Sequence, residues 1–309
     1  MMRSKLNEVN SVGPVRAKLF DEHAPLASLV ALPKSGRHTW GWTPRDKVMI
    51  IDTHCHAGTG DGLMGPWDTR ASLDKYVRWA TEAGIDRTVL LAAFHSDYAV
   101  ANREVARIVG TQPERFYGFA FIHAERDRGR VYALVKIAVE RYGFLGIKVH
   151  RHDARITREV CEAARAFRLP VLYDVTGDIS VCELLATEYA DINFIIPHLG
   201  SFADDWRAQL GLIDHLVRHP NIYTDTSGVR RFDLLEQAVQ RAGPHKILFG
   251  SDGPWLHPAV ELEKIYVLGL SERDERLVLG QNFLRLTSRA GKRRASSRSP
   301  RSTFASHAQ

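Results

Sequence analysis

Residues 48–56 read Val48-Met49-Ile50-Ile51-Asp52-Thr53-His54-Cys55-His56. An apolar run suited to a buried strand runs into two histidines separated by one residue. Side chains two apart on a strand project to the same side. Two imidazoles so placed can grip one cation with little chain entropy left to lose, and zinc accepts such nitrogens readily. Alone, the pair reads better as two ordinary loop histidines. What surrounds it in the chain decides. Seven further apolar runs follow, at residues 87–94, 116–123, 144–150, 169–174, 193–198, 221–225 and 246–252. Amphipathic segments of helical length lie between most of them, such as 72–83, 157–167 and 271–287, the last opened by the capping-box pair Ser271 and Asp274. Strands too apolar for a wet face, alternating with helices, predict a parallel sheet. Eight such units in about 240 residues match a (β/α)8 barrel. A doubly wound open sheet would use the same elements.

The placement of polar residues favours the barrel. His54 and His56 close the first predicted strand, Lys148 and His150 the fourth, Asp174 the fifth, His198 the sixth and Asp252 the eighth. In a barrel those ends converge on one mouth, where active sites of this fold are built. Asp252, in Phe249-Gly250-Ser251-Asp252-Gly253-Pro254, follows an apolar strand between glycines that permit close approach. Its carboxylate there can ligate a metal and accept a proton from bound water. His198, followed by Leu199-Gly200, can ligate, or polarise a substrate oxygen and shuttle a proton. Lys148 and His150 share one strand face. His95 and His123 also end predicted strands and receive no role.

Composition narrows the classes. The chain has 309 residues, 44% hydrophobic and 25% charged, ordinary for a globular protein. Its three cysteines form no CxxC pair, which fits a reducing cytoplasm. The net charge of +6 is unevenly spread. Residues 1–47 carry eight basic and four acidic residues, residues 48–288 carry 28 and 32, and residues 289–309 carry six and none. The body is therefore mildly acidic, which argues against a basic nucleic-acid groove. No run approaches the ~20 apolar residues of a membrane span, and no secretory signal is read. Residues 1–47 are expected as an N-terminal extension, 48–288 as the barrel, and 289–309 as a disordered Arg/Ser-rich tail. Gly60-Asp61-Gly62-Leu63-Met64-Gly65 fits GxGxxG, but Pro66 stands where a dinucleotide-binding helix should run, so it reads as a mobile loop beside the metal site. No GxSxG or P-loop motif occurs.

The motifs IDTHCH, GIKVH, LPVLYD, IIPHLG, IYTDTSG, LFGSDGPW and QNFLRL, from about Val48 to Ser288, resemble the amidohydrolase-related family of the amidohydrolase superfamily. That branch includes metal-dependent decarboxylases of the aminocarboxymuconate-semialdehyde type. The resemblance implies a (β/α)8 barrel holding a divalent metal, usually zinc. His54 and His56 would be ligands, Asp252 a ligand and proton acceptor, and His198 the catalytic histidine. The family usually ends its fifth strand in a histidine ligand, where this chain has Asp174. Aspartate is a legitimate but shorter, anionic ligand, and it makes manganese more plausible. In binuclear relatives a strand-four lysine is carbamylated and bridges two metals. In mononuclear relatives a basic residue there meets a substrate carboxylate, the role expected of Lys148 or His150. The expected activity is hydrolysis of a small carboxylated lactone, ester or amide. Non-oxidative decarboxylation is the alternative, and a non-catalytic binding protein with a decayed metal site the second. A homodimer is compatible with this reading.

Overall fold

The computed structural model describes residues 48–63, 69–202 and 205–296, with side chains as far as Ala290. The expected N-terminal extension, residues 1–47, and the end of the expected tail, residues 297–309, lie outside the described residues.

All eight expected strands are present as β1 Ile51–Thr59, β3 Arg87–Ala92, β4 Phe116–Phe121, β5 Gly146–His150, β6 Val171–Asp174, β7 Phe194–Ile196, β8 Ile222–Asp225 and β9 Ile247–Leu248. A two-residue strand the sequence did not suggest, β2 Arg70–Ala71, pairs antiparallel with the end of β1. It is too short to carry any period. Among the described residues the sheet order is β2-β1-β3-β4-β5-β6-β7-β8-β9, and every pair after β2 is parallel. The first strand runs further than expected. His54 and His56 lie inside β1 because it is held on both flanks, by β3 at His56↔Leu91 and by His56 N donating to Gly253 O at 2.6 Å.

The helices are α1 Leu73–Glu82, α2 Tyr98–Thr111, α3 Val131–Ile137, α4 Arg158–Phe167, α5 Val181–Glu188, α6 Trp206–Arg218, α7 Phe232–Ala242, α8 Pro258–Val267, α9 Glu272–Arg276 and α10 Asn282–Ser296. Each parallel crossover contains at least one of them, as parallel strands require. The helix expected over 271–287 is two helices joined by a π-helical turn, Leu277–Gln281. Ser271 caps its start by accepting from Asp274 N at 3.2 Å. The last helix runs past the tail boundary expected at 288. It continues to Ser296, and Ala290 is buried in the core cluster. Among the described residues no helix is long and apolar enough to cross a membrane.

The sheet is curled and buried on both sides, which explains why its strands show no polar alternation. Val89 and Leu91 on β3 face an inner cluster with Ile51, Phe119, Leu172 and Leu248, whereas Leu90 and Ala92 face the helices. Phe283 and Leu286 of α10 join the inner cluster, with Phe283 against Tyr117 and Phe119. β9 has only two residues, and the chain after it carries on along β1. Thr53 N donates to Phe249 O at 3.0 Å and Asp252 N to His54 O at 2.7 Å. These bonds tie the last strand to the first where the expected site residues lie.

Candidate active site

The structure brings His54, His56 and Asp252 together. His56 Nδ1 donates to Ala92 O at 2.8 Å, which leaves its Nε2 as the free lone pair. His54 Nδ1 lies 2.8 Å from Asp225 Oδ2, and its buried Nε2 has no hydrogen-bond partner among the described residues. Both Nε2 atoms point at Asp252 Oδ1, from 3.5 Å for His54 and 3.6 Å for His56. Donors bound at about 2.0–2.2 Å to a tetrahedral ion stand about 3.3–3.6 Å apart. An orphaned buried nitrogen and a carboxylate at those spacings fit a divalent metal. Burial, reinforced by Lys148, lowers His54 to about 4, so the ring is neutral and ready to ligate. His56 is held well below its usual range, first by burial and then by His54. Burial pushes Asp252 up to about 7.

A second triplet, His54, His198 and Asp225, also has donor atoms within 4.8 Å of one another. There Asp225 already engages His54 Nδ1 at hydrogen-bond length, so it orients the ring from behind. Asp252 sits at φ +56°, a left-handed conformation costing of order 1–3 kcal/mol for a non-glycine residue. Gly250 makes the approach possible, since a Cβ there would meet His54 Cβ at 3.0 Å and Asp225 Cβ at 3.3 Å.

Asp174 faces the same cavity, but its oxygens are engaged. Oδ1 accepts from Thr176 N at 2.8 Å, and Oδ2 lies 3.1 Å from His150 Nε2 and 3.4 Å from His198 Nε2. His150 Nδ1 accepts from His152 N at 3.1 Å, so its Nε2 carries the proton given to Asp174. His198 follows β7 at φ +57° and directs Nδ1 to Ser227 O at 2.8 Å. Burial opposes charge on His198, but the bond to Asp174 outweighs it and raises the group to about 9. Burial likewise opposes charge on Asp174, and His150 and His198 overcome it to hold the carboxyl well below its usual range. Lys148 is fully buried with no hydrogen-bond partner for Nζ among the described residues. Burial lowers its pKa against the pull of Asp174, Asp252 and Asp225. These residues line a cavity of about 400 Å³ walled by Phe94, Phe202 and Trp255.

A family model described as amidohydrolase matches residues 51–286. The chain belongs to the amidohydrolase family. No curated protein is similar to it in sequence. Solved structures share its fold at low identity. The 5-carboxyvanillate decarboxylase of Sphingomonas paucimobilis is 14% identical with a TM-score of 0.63, over 78% of this chain and 99% of that one. A dihydroxybenzoic acid decarboxylase of Polaromonas, with manganese and 2-nitroresorcinol bound, is 19% identical with a TM-score of 0.58, over 78% and 97%. The 4-oxalomesaconate hydratase of Rhodopseudomonas palustris is 18% identical with a TM-score of 0.60, over 81% and 98%.

Two supports of this amidohydrolase site carried no role in the sequence. Asp225 ends β8 and holds His54 Nδ1 while accepting from His198 N and Ser227 N through Oδ1. Its position at a strand end, in register with the other polar ends, was the available signal. Asp52 accepts from His54 N, Ser251 N and Tyr76 hydroxyl, with Ser251 Oγ also bonded to it, and so ties β1 to the Asp252 segment. The part of the glycine-rich loop that is described is pinned by Asp61, which accepts from Ser96 N at 3.0 Å, while residues 64–68 lie outside the described residues.

Proposed function

We propose that this amidohydrolase is a divalent-metal-dependent hydrolase of a small carboxylated molecule, on a curled sheet that closes as a (β/α)8 barrel. The observation that carries the reading is the convergence of His54 Nε2, His56 Nε2 and Asp252 Oδ1 beside a cavity that also receives His198 and the unpartnered Lys148 amine. Zinc suits the two imidazoles and the carboxylate, with manganese the competitor. A divalent ion held there would lower the pKa of a bound water toward ~7 and polarise a carbonyl. Asp252, pushed up to about 7 by burial, would hold the proton released when such a water is activated. His198, anchored through Nδ1 by Ser227 O, turns the Nε2 proton that now faces Asp174 toward the oxygen that gains negative charge or toward the leaving group. Lys148 Nζ pairs with the substrate carboxylate, and His150 keeps Asp174 in place. Asp174, committed to two histidines and Thr176 N, acts as the support of His198 and not as the fourth ligand. The three cysteines are free and buried, in keeping with a reducing cytoplasm.

Decarboxylation is the second reading. It is favoured by the aromatic walls Phe94, Phe202 and Trp255, and by the decarboxylases among the structures sharing this fold. On that reading the metal side of the cavity takes the substrate's carboxylate, and Asp252 or His198 gives a proton to carbon. The test is a panel of lactones, esters, amides and hydroxylated aromatic carboxylates on metal-loaded enzyme, following acid production and carbon dioxide together. Acid without carbon dioxide supports hydrolysis. Carbon dioxide in step with substrate loss replaces it with decarboxylation. Elemental analysis showing no bound metal would favour a non-catalytic binding protein.

A further inference from the structure

We propose that Glu183, His215 and His219 form a second divalent-metal site, for an ion of the zinc class, that ties α5 to the end of α6. It is separate from the cavity described above and does not depend on the proposed reaction.

His215 and His219 are four residues apart at the last turn of α6 and just after it, so they share one face of the helix. Their rings stack with centroids 5.6 Å apart. Glu183, in the first turn of α5, reaches both of them. Its Oε2 lies 3.0 Å from His219 Nε2 and 3.6 Å from His215 Nδ1, and the three donor atoms all fall within 4.8 Å of one another. Those separations bracket the ~3.3 Å edge of a tetrahedral zinc site with bonds of about 2.0–2.1 Å, and water can supply the fourth ligand. Two imidazoles with one carboxylate suit zinc, copper or nickel better than hard ions.

Two of the three donors are in their ligating forms, and His219, whose Nε2 donates to Glu183, would ligate once that proton moves to Nδ1 or to solvent. Burial, helped by Arg218, lowers His215 below its usual range, so the ring is neutral near pH 7. The bond from His219 lowers Glu183, which is therefore ionised. The cluster also already draws a cation. Arg218 Nη1 lies 3.2 Å from Glu183 Oε2, and Nη2 lies 3.3 Å from His215 Nδ1. Its side chain is 56% exposed, so it can swing into solvent when a divalent ion enters. The site stands where the chain enters β8, at the end of the strands opposite the catalytic side chains, a face that serves stability in this fold. The ion would clamp two consecutive strand–helix units and would touch no substrate.

The test titrates metal-stripped, full-length protein with zinc alone by calorimetry. The wild type is compared with a His54→Ala/His56→Ala double variant, with Glu183→Gln, His219→Gln and Arg218→Ala, and melting temperature is read in parallel. The double variant is expected to keep one zinc site, with a melting temperature that rises on adding zinc. Adding Glu183→Gln or His219→Gln to it should weaken that site at least tenfold. Arg218→Ala should tighten it about tenfold, the effect of removing one unit charge close to a divalent ion. Glu183 is half-exposed, and His219, with its side chain 12% exposed, keeps a polar side chain of similar reach as Gln, so both conservative variants should fold. If the double variant itself fails to fold, the same three substitutions in the wild type read the second site directly. A folded double variant that takes up no zinc overturns the proposal. So does zinc binding unchanged by Glu183→Gln and His219→Gln, or weakened by Arg218→Ala. Loss of zinc only at the His54/His56 site would leave this proposal standing.

Discussion

Asp225 Oδ2 lies 2.8 Å from His54 Nδ1, both side chains are buried, and the two residues are 171 positions apart in the chain. This contact fixes which nitrogen of His54 carries its proton, and so directs the Nε2 lone pair toward Asp252. Burial works against charge on Asp225, but His54 and His198 hold its carboxyl below the usual range. Asp225→Asn is expected to lower metal affinity by about 10–100-fold, the scale of lost support behind a ligating histidine. Competition with a chelating dye measures it, and unchanged affinity would remove Asp225 from the site.

Metal uptake at this site should depend on pH through Asp252. Its carboxyl is pushed up to about 7 in the metal-free protein, whereas His54 is lowered to about 4. The ion and a proton compete for the Asp252 oxygen. Affinity should therefore be flat above pH 7 and fall about tenfold per pH unit as pH drops from 7 toward 4, with one proton released per ion bound. Asp252→Asn has no proton to lose and should flatten that slope. It should also cut turnover by a factor of ~100 or more. A wild-type profile already flat across this window would sink the assignment.

Asp174→Asn separates support from ligation. If Asp174 holds His198, the variant keeps its metal and loses turnover, with the rate loss growing as pH rises because His198 gives up its proton earlier. Its folded pKa of about 9 should fall back toward 6.5. Loss of stoichiometric metal in elemental analysis would instead make Asp174 a ligand.

Lys148→Met tests the unpartnered amine. Removing a buried charge with no hydrogen bond relieves a desolvation cost, so melting temperature of the metal-loaded protein should hold or rise. The KM of carboxylated substrates should rise at least tenfold, and that of their neutral amides should not. A fall in stability with unchanged KM would assign Lys148 to the fold alone.

Phe283 of α10 fills the inner cluster from the end of the chain. Phe283→Ala is expected to cost about 3–5 kcal/mol in denaturant unfolding, as for a large buried aromatic side chain. Deleting residues 297–309 should leave the melting temperature unchanged. A deletion from residue 282 should abolish folding, because Asn282 Nδ2 also donates to Pro244 O and Ile247 O at the start of β9.

Local pattern was enough to locate eight strands, amphipathic segments between most of them, and the polar residues at the strand ends. Apolar runs and their spacing are properties of neighbouring residues, and chain order already sets which end of each parallel strand is which. The same logic made His54 and His56 a same-side pair. Partnership between strands is a different matter. The family resemblance offered Asp174 as a ligand because it stands where the family usually has a histidine. The fold spends its oxygens on His150 and His198 from the strands on either side, and on Thr176 N. Asp225 and Asp52 looked like ordinary strand aspartates until β8 and the Ser251 segment were laid beside β1. Which nitrogen of each histidine is free, which carboxylate is engaged, and that Lys148 meets no partner among the described residues all depend on atoms from residues far apart in the chain. Only the curling of the sheet brings those atoms to within about 3 Å of one another.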